Sequence, residues 1–346
     1  MRRLKHILTL VLLALAACSV KAADLDMQEY LFGHVSDSYE WHITTINGHH
    51  VTVSLPVIVH SKTSGWHVFS SSRLEEGEIH DGFFISQGGK YDGKVVEQLP
   101  DGSIARPMDI SITKNVFSLM INSTILVLLV LLGARWYRKH DAREEAPKGF
   151  AGIVEMMVTM VEDDIIKECI GKDYKRYSPY LLTAFFFIFV NNLMGIVPFF
   201  PGGANVTGNI AITFCLAIFT FLAVNLFGNK HYYKDIFWPD VPMFLKVIPL
   251  MPLIEIVGMF TKPFSLMVRL FANILAGHIM LLGVVSVVFL TVKLGVAMNS
   301  GLTVIAVLFG VFMDVLEFLV AFLQAYVFTM LSSVFIGLSR QEPEEE

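Results

Sequence analysis

The stretch PFSLMVRLFANILAGHIMLL, residues 263–282, decides how the whole chain folds. It lies inside an apolar segment from residue 254 to about residue 292, and in its middle stands one arginine, Arg269. A cation at the centre of a bilayer costs from about 2.5 to more than 10 kcal/mol, so it is rarely left there without a task. An arginine near a helix end can snorkel to the headgroups, but Arg269 has about a dozen mainly apolar residues on each side. At helical spacing Asn273 lies about 40° from Arg269 around the axis and His278 about 180° away. Ala272, Ala276 and Gly283 form a narrow stripe of small residues beside the arginine, and such a stripe lets another helix come close. Arg269 is therefore expected to face a tight protein contact while His278 looks the other way. A histidine in a membrane helix is either hydrogen-bonded packing or a proton carrier, and spacing alone leaves both open.

The rest of the composition agrees with a membrane protein. Of 346 residues, 54% are hydrophobic, and mean hydropathy is +0.59. Soluble domains are nearer 45–50% apolar, so a polytopic membrane protein with some soluble part is expected. The net charge of −5 gives no case for nucleic acid. Cys18, Cys169 and Cys215 fall in three separate regions and suggest no disulfide framework. No glycine loop with a lysine is present to cradle phosphates, so the chain is not expected to bind nucleotide.

Residues 1–23 read as a secretory signal, with Arg2, Arg3 and Lys5 before a short apolar core and Lys21-Ala22-Ala23 at its end. Leu15-Ala16-Ala17-Cys18 is also similar to a bacterial lipoprotein box, which would place a lipid on Cys18. Either route puts the adjoining segment outside the cytoplasm. Residues 24–112 read as a small β-rich extracytoplasmic domain. Residues 40–55 alternate about Asn47-Gly48, a hairpin signal, and glycines at 65, 77, 82, 88 and 89 punctuate further short strands. His34, His42, His49, His50, His60, His67 and His80 lie here, seven of the eleven histidines. Their spacings match no ligand motif, so scattered surface histidines are expected and no metal site.

Residues 113–346 form the membrane domain. A first span over residues 116–134 ends in Arg135-Trp136-Tyr137-Arg138-Lys139, which marks the cytoplasmic side. Residues 148–171 carry Ile153, Met156, Met157, Met160 and Val161 at helical spacing, with Glu155, Glu162 and Asp163 off that face. They predict either an amphipathic helix on the cytoplasmic membrane surface or a packed soluble one. Spans over residues 180–200 and 206–227 turn at Pro201-Gly202-Gly203. Asn191, Asn192, Asn205, Asn209 and Asn225 place amides in or near the membrane, mostly for interhelix hydrogen bonds. Pro239, Pro242, Pro249 and Pro252 delay the next helix to about residue 253. The 40 or so residues to Val292 would make a helix about 60 Å long, twice the hydrocarbon thickness. Such a helix must tilt, bend or project. Residues 302–338 make a second overlong helix after a turn at residues 295–301. That last helix holds Asp314, Glu317 and Gln324, the latter two about 20° apart on one stripe.

The run KPFSLMVRLFANILAGHIM, residues 262–280, closely resembles the signature helix of subunit a of the rotary (F-type) ATP synthases. LQAYVF, residues 323–328, resembles the same family's last helix. The resemblance implies an all-α polytopic membrane protein with five membrane helices plus one surface amphipathic helix. The last two helices are long, strongly tilted and paired as a hairpin against a ring of c subunits. It implies that Arg269 faces that ring, that Asn273, His278, Glu317 and Gln324 belong to the proton path, and that Asp314 is a possible member. Gln324 is expected near the arginine. Family members often carry an acid where this chain has Gly195, so a polar contact there is missing or made by another residue. The family also has a reciprocal arrangement, with glutamate nine positions after the arginine and histidine seven before the glutamine. This chain has His278 and Glu317, the exchanged form, which implies a cross-helix pair.

A stator subunit of a bacterial inner-membrane motor is the implied function. Two aqueous half-channels and Arg269 would couple proton flow to c-ring rotation and ATP synthesis, with no catalysis by this chain alone and no cofactor. The implied partners are the c-ring oligomer, the peripheral stalk subunit b and the remaining ATP synthase subunits, with the C-terminus cytoplasmic. A secondary transporter or ion channel with a midplane polar site is the competing reading; it often shows internal repeats, and none is visible. The resemblance does not cover residues 24–112.

Overall fold

The computed structural model describes residues 36–46, 49–99, 102–141, 145–197, 200–237 and 250–341. The signal segment with Cys18, the Asn47-Gly48 pair, His34, and Pro239, Pro242 and Pro249 lie outside the described residues.

The N-terminal part is built from three small antiparallel sheets. β1 (Glu40–Ile46) pairs antiparallel with β2 (His49–Ser54), in a register that ends at Ile46↔His49. β3 (Pro56–Ser61) lies between β4 (Gly65–Ser70) and β8 (Met108–Asp109). β6 (Val95–Gln98) lies between β5 (Phe83–Ile85) and β7 (Ile104–Ala105). Alternation along β3 sends Val57 and Val59 inward, where they meet Tyr39, Phe69, Leu74, Phe83 and Val95. Two polar groups are buried and satisfied. The Tyr39 hydroxyl donates to the Asp109 carboxylate and accepts from the Val95 amide at 3.3 Å; burial pushes its phenol well above the usual range. Glu97 accepts from the hydroxyls of Ser61 at 2.6 Å and Thr63 at 2.8 Å.

The remainder is helical. α1 is Lys114–Tyr137 and α2 is Phe150–Val161. A π turn, Glu162–Lys167, carries α2 through Glu168–Ile170 toward α3, Tyr174–Ile196. α4 is Ile210–Leu226 and α5 the short Lys230–Phe237. α6, Leu250–Leu290, has 41 residues, and α7, Val296–Arg340, has 45. Among the described residues, Lys114–Tyr137, Phe150–Ile196, Leu253–Leu290 and Met298–Arg340 are long and apolar enough to cross a membrane; the apolar Ile210–Leu226 is shorter. The chain is thus a multi-pass membrane protein.

Two boundaries differ from expectation. The helix expected over residues 148–171 does form, as α2 with its π turn, and ends at Gly171, where φ is 72°. Its apolar face is divided: Met157, Met160 and Val161 pack on the helical core, while Ile153 and Met156 stay exposed. A helix with two apolar neighbours, core on one side and open surface on the other, has no single buried stripe. α4 begins at Ile210 rather than residue 206, because the Asn209 side chain caps it by accepting from the Ala211 amide at 3.0 Å. The α6–α7 turn is Thr291–Leu294 plus Gly295 at φ 92°, so residues 296–301 are already helical. A single glycine in the left-handed region suffices to reverse the chain, and the extra polar residues fit the exposed first turns of α7.

α7 is the spine. It packs along α3, α6 and α4 and against Glu168–Ile170. The core joins Ile165, Ile166 and Ile170 to Leu181, Phe185 and Ile188 of α3, Leu266, Leu270 and Ile274 of α6, and Phe328 and Ile336 of α7. Of the five membrane-region asparagines, three bridge helices, Asn225 by accepting from the Tyr232 hydroxyl of α5 at 3.5 Å. Asn191 accepts from Asn122 of α1 at 3.0 Å, and Asn192 donates to the Ala321 carbonyl of α7 at 3.2 Å. Asn205 and Asn209 bond locally instead. Arg340 ties three helix ends together. Its guanidinium donates to Asp173 from Nε at 3.0 Å, to the Asn229 side chain at 2.7 Å and to the Phe227 carbonyl at 3.2 Å. The start of α3 and the ends of α4 and α7 therefore share one side, as alternating passes through a membrane require.

The closest backbone approach is at Gly337, where an added Cβ would collide with the Cys169 carbonyl and lie 3.0 Å from its carbon. Backbone cannot yield as a flexible side chain can. Gly337→Ala is expected to destabilise the membrane domain by about 1–3 kcal/mol. The check is the amount of full-length chain that survives a heat step in membranes, which should fall relative to Gly310→Ala, where nothing lies within 4 Å.

Candidate functional site

α6 holds Arg269, Asn273 and His278 on a single rigid rod, and its two sides have opposite surroundings. Leu266, Leu270 and Ile274 are buried and fix its rotation. That rotation leaves Arg269, Ala272, Asn273 and Ala276 exposed. Arg269 has no hydrogen-bond or ion-pair partner among the described residues. The contact expected beside the small-residue stripe is not made among the described residues; a Cβ at Gly283 would meet nothing within 4 Å.

On the other side His278 meets α7. Its Nδ1 lies 2.6 Å from Oε1 of Glu317, with the two side chains only 13% and 7% exposed. This is the separation of a short side-chain hydrogen bond. The cross-helix pair implied by the sequence is thus formed. Two glycines make the room. A Cβ at Gly277 would stand 3.4 Å from Glu317 Oε1. At Gly195, near the end of α3, a Cβ would stand 3.3 Å from His278 Nε2 and 3.6 Å from the Ala204 carbonyl. The imidazole therefore fills the space in front of Gly195 in which an acidic side chain would have to fit. Glu317 Oε2 is buried with no hydrogen-bond partner among the described residues, an open acceptor in a nearly dry place.

The other named residues divide. Gln324 is 8% exposed, two turns beyond Glu317 on α7, and makes no hydrogen bond to Arg269. Asp314, one turn before Glu317, is exposed. Beyond Glu317, Asn192 reaches the Ala321 carbonyl and accepts from the Thr207 hydroxyl at 2.5 Å, so the polar strip continues across α3 into the α3–α4 loop. Toward the start of α6, Arg269 lines a groove of about 290 Å³ with Thr261, Lys262, Ser265, Leu331 and Phe335. Lys262 Nζ sits 5.8 Å from the centre of the Phe335 ring.

Sequence reasoning missed three of these features. Gly277 carried a signal, since a glycine inside a helix costs about 1 kcal/mol against alanine and asks for a reason. Thr207 and the Lys262 groove carried none, because both depend on how distant helices meet. In the β-rich part, His67 and His80 flank Asp81 at 3.8 and 3.7 Å. No group of three His, Cys, Asp or Glu side chains among the described residues could hold a metal.

Residues 118–337 match the family model described as ATP synthase A chain. Residues 30–111 match a second model, described as a domain of unknown function. The chain is 39% identical over 260 residues to ATP synthase subunit a of Chloroherpeton thalassium, covering 72% of this chain and 74% of that one. It is 43% identical over 246 residues to ATP synthase subunit a of Pelodictyon phaeoclathratiforme, covering 69% and 68%. With ATP synthase subunit a of Anaeromyxobacter sp. it shares 38% over 285 residues, 78% of this chain and 62% of the relative. A family match over most of the length, on a helical hairpin with one arginine left unpartnered among the described residues, leaves one conclusion: the chain belongs to the ATP synthase subunit a family.

Proposed function

We propose that this chain is the stator subunit of an ATP synthase membrane motor in a bacterial inner membrane, where Arg269 works against a rotating c-ring of carboxylates. The supporting observation is the division of α6. One face presents a guanidinium with no partner among the described residues, beside small exposed ones, and the other buries a 2.6 Å histidine–glutamate pair. In this reading the partner is a c-ring, with the peripheral stalk subunit b and the other ATP synthase subunits completing the complex.

The mechanism rests on charge physics. A ring carboxylate crossing lipid must be neutral, because an unpaired ion there is costly. Beside Arg269 it ionises, since a neighbouring cation favours the charged form. The guanidinium keeps its own charge and so stops protons from leaking straight past it. Protons reach and leave the ring by two separate aqueous half-channels. The outer one runs past the Asn192–Thr207 strip to His278 and Glu317, whose free Oε2 can take a proton and hand it on. Asp314 extends this path toward the surface. The inner one is the groove from Arg269 past Ser265 to Thr261 and Lys262. Asn273, on the open face, and Gln324, on the facing helix, orient and solvate the arginine once the ring is in place. Each charge crossing 100 mV releases about 2.3 kcal/mol, and the ring must turn for it to cross. In this arrangement the β-rich domain is extracytoplasmic and the C-terminus cytoplasmic, in keeping with the basic residues after α1.

Two experiments test this. In membranes with normally assembled complex, Arg269→Ala is expected to reduce ATP-driven proton pumping to background; pumping at the wild-type rate overturns the reading. The relay makes a stricter demand. His278→Glu places two carboxylates together, and like charges at that distance oppose ionisation. That single change and Glu317→His are each expected to cut coupled proton flux by about tenfold or more, while the double exchange recovers a substantial part of it. A double variant no better than either single one sinks the pair as a relay.

A further inference from the structure

The β-rich domain has no part in the mechanism above, yet its first hairpin is seated on the proposed outer half-channel. Trp41 of β1 is 5% exposed and packs with Ala204 and Val206 of the α3–α4 loop, each 1% exposed. Its ring meets Phe117 of α1 edge-on at 6.0 Å and Phe200 of the loop at 5.3 Å. The hairpin is also tied to the membrane helix by its backbone. The Lys114 amide donates to the Ser38 carbonyl at 2.8 Å, and the Asn115 amide donates to the Asp37 carboxylate at 3.0 Å.

The line of contact does not stop at the loop. Ala204, beneath Trp41, turns its carbonyl to the same small space in front of Gly195 that His278 Nε2 enters from α6. Just past Ala204 and Val206, Thr207 bonds Asn192, which bonds α7 one turn beyond Glu317. The indole thus presses on a loop whose inner surface forms one wall of the imidazole's pocket. An aligned proton relay tolerates little displacement, and an ångström of misplacement can cost about a hundredfold in rate.

We propose that Trp41 is a positioning residue for the proton relay. The β1–β2 hairpin clamps the loop over residues 200–207, and the loop in turn holds the Gly195 wall against His278. The N-terminal domain is then a working part of the outer half-channel. This rests on reading His278 and Glu317 as the outer relay. The groups facing His278 are Glu317 from α7, and Gly195 with the Ala204 carbonyl from α3 and its loop, neither of which titrates. Asp314 is exposed one turn from Glu317, and Arg269 lies on the far side of α6.

The test uses whole ATP synthase in sealed vesicles, with pH set independently on each side and ATP synthesis as the readout. Trp41→Ala is expected to lower the rate severalfold and to move the outer-side pH profile by about half a unit or more. The inner-side profile and the amount of assembled complex should not change, and Trp41→Phe should restore the wild-type profile. Phe200→Ala removes the same contact from the loop side and leaves the β-rich domain intact, so it carries the test if Trp41→Ala fails to assemble. The double variant should shift the profile no further than Trp41→Ala alone. An unmoved outer profile, or two shifts that add in full, overturns the proposal. His278→Ala run in parallel separates the failures. If it moves the outer profile and neither aromatic variant does, the clamp falls and the relay stands. If it moves nothing, the relay reading falls and the clamp with it.

Discussion

The membrane domain carries one charge in the middle of a long apolar helix, Arg269, which has no hydrogen-bond or ion-pair partner among the described residues. A guanidinium cannot shed its proton to escape burial, and leaving it to lipid would cost several kcal/mol. The fold answers by burying the opposite side of the same helix. Leu266, Leu270 and Ile274 lock the rotation of α6 against α4 and α7, so the arginine is held on the open side by packing on the closed one. Its aim comes from rigidity of the rod rather than from any bond to the guanidinium itself.

The same rod has to carry a second polar group, and the fold treats it in the reverse manner. His278 is paired, enclosed and bounded by residues with no side chain of their own, Gly277 on the partner's side and Gly195 beyond. A buried ionisable pair adds little net stability when desolvation is included. Stability comes from elsewhere: the apolar contacts of α7 with three helices, the asparagine bridges to Asn122 and Ala321, and the Arg340 ties that gather three helix ends.

Much of this was legible in the chain itself. The periodicity around Arg269 placed the arginine and the histidine on opposite faces, and the lengths of the apolar runs foretold two helices too long for an upright span. The reciprocal positions of His278 and Glu317 foretold their pairing. The β hairpin was readable from Asn47-Gly48, because a two-residue turn is a local property. What escaped was non-local or depended on a single residue's backbone. The π turn at Glu162–Lys167 has no composition signal. Gly295 alone reverses the chain where a seven-residue turn was expected. The seating of Trp41 on Ala204 joins positions more than 160 apart, and no pattern within either segment announces it.

The two glycines beside the imidazole carry a consequence for how such a chain can diverge. Because the ring fills the space before residue 195, an acid cannot be introduced there while histidine remains at 278. Nor can Glu317 and His278 trade places one at a time without an interval in which two like groups share one pocket. Sites 195, 278 and 317 are therefore epistatically bound, and lineages carrying the two arrangements are separated by a valley that single substitutions do not cross cheaply.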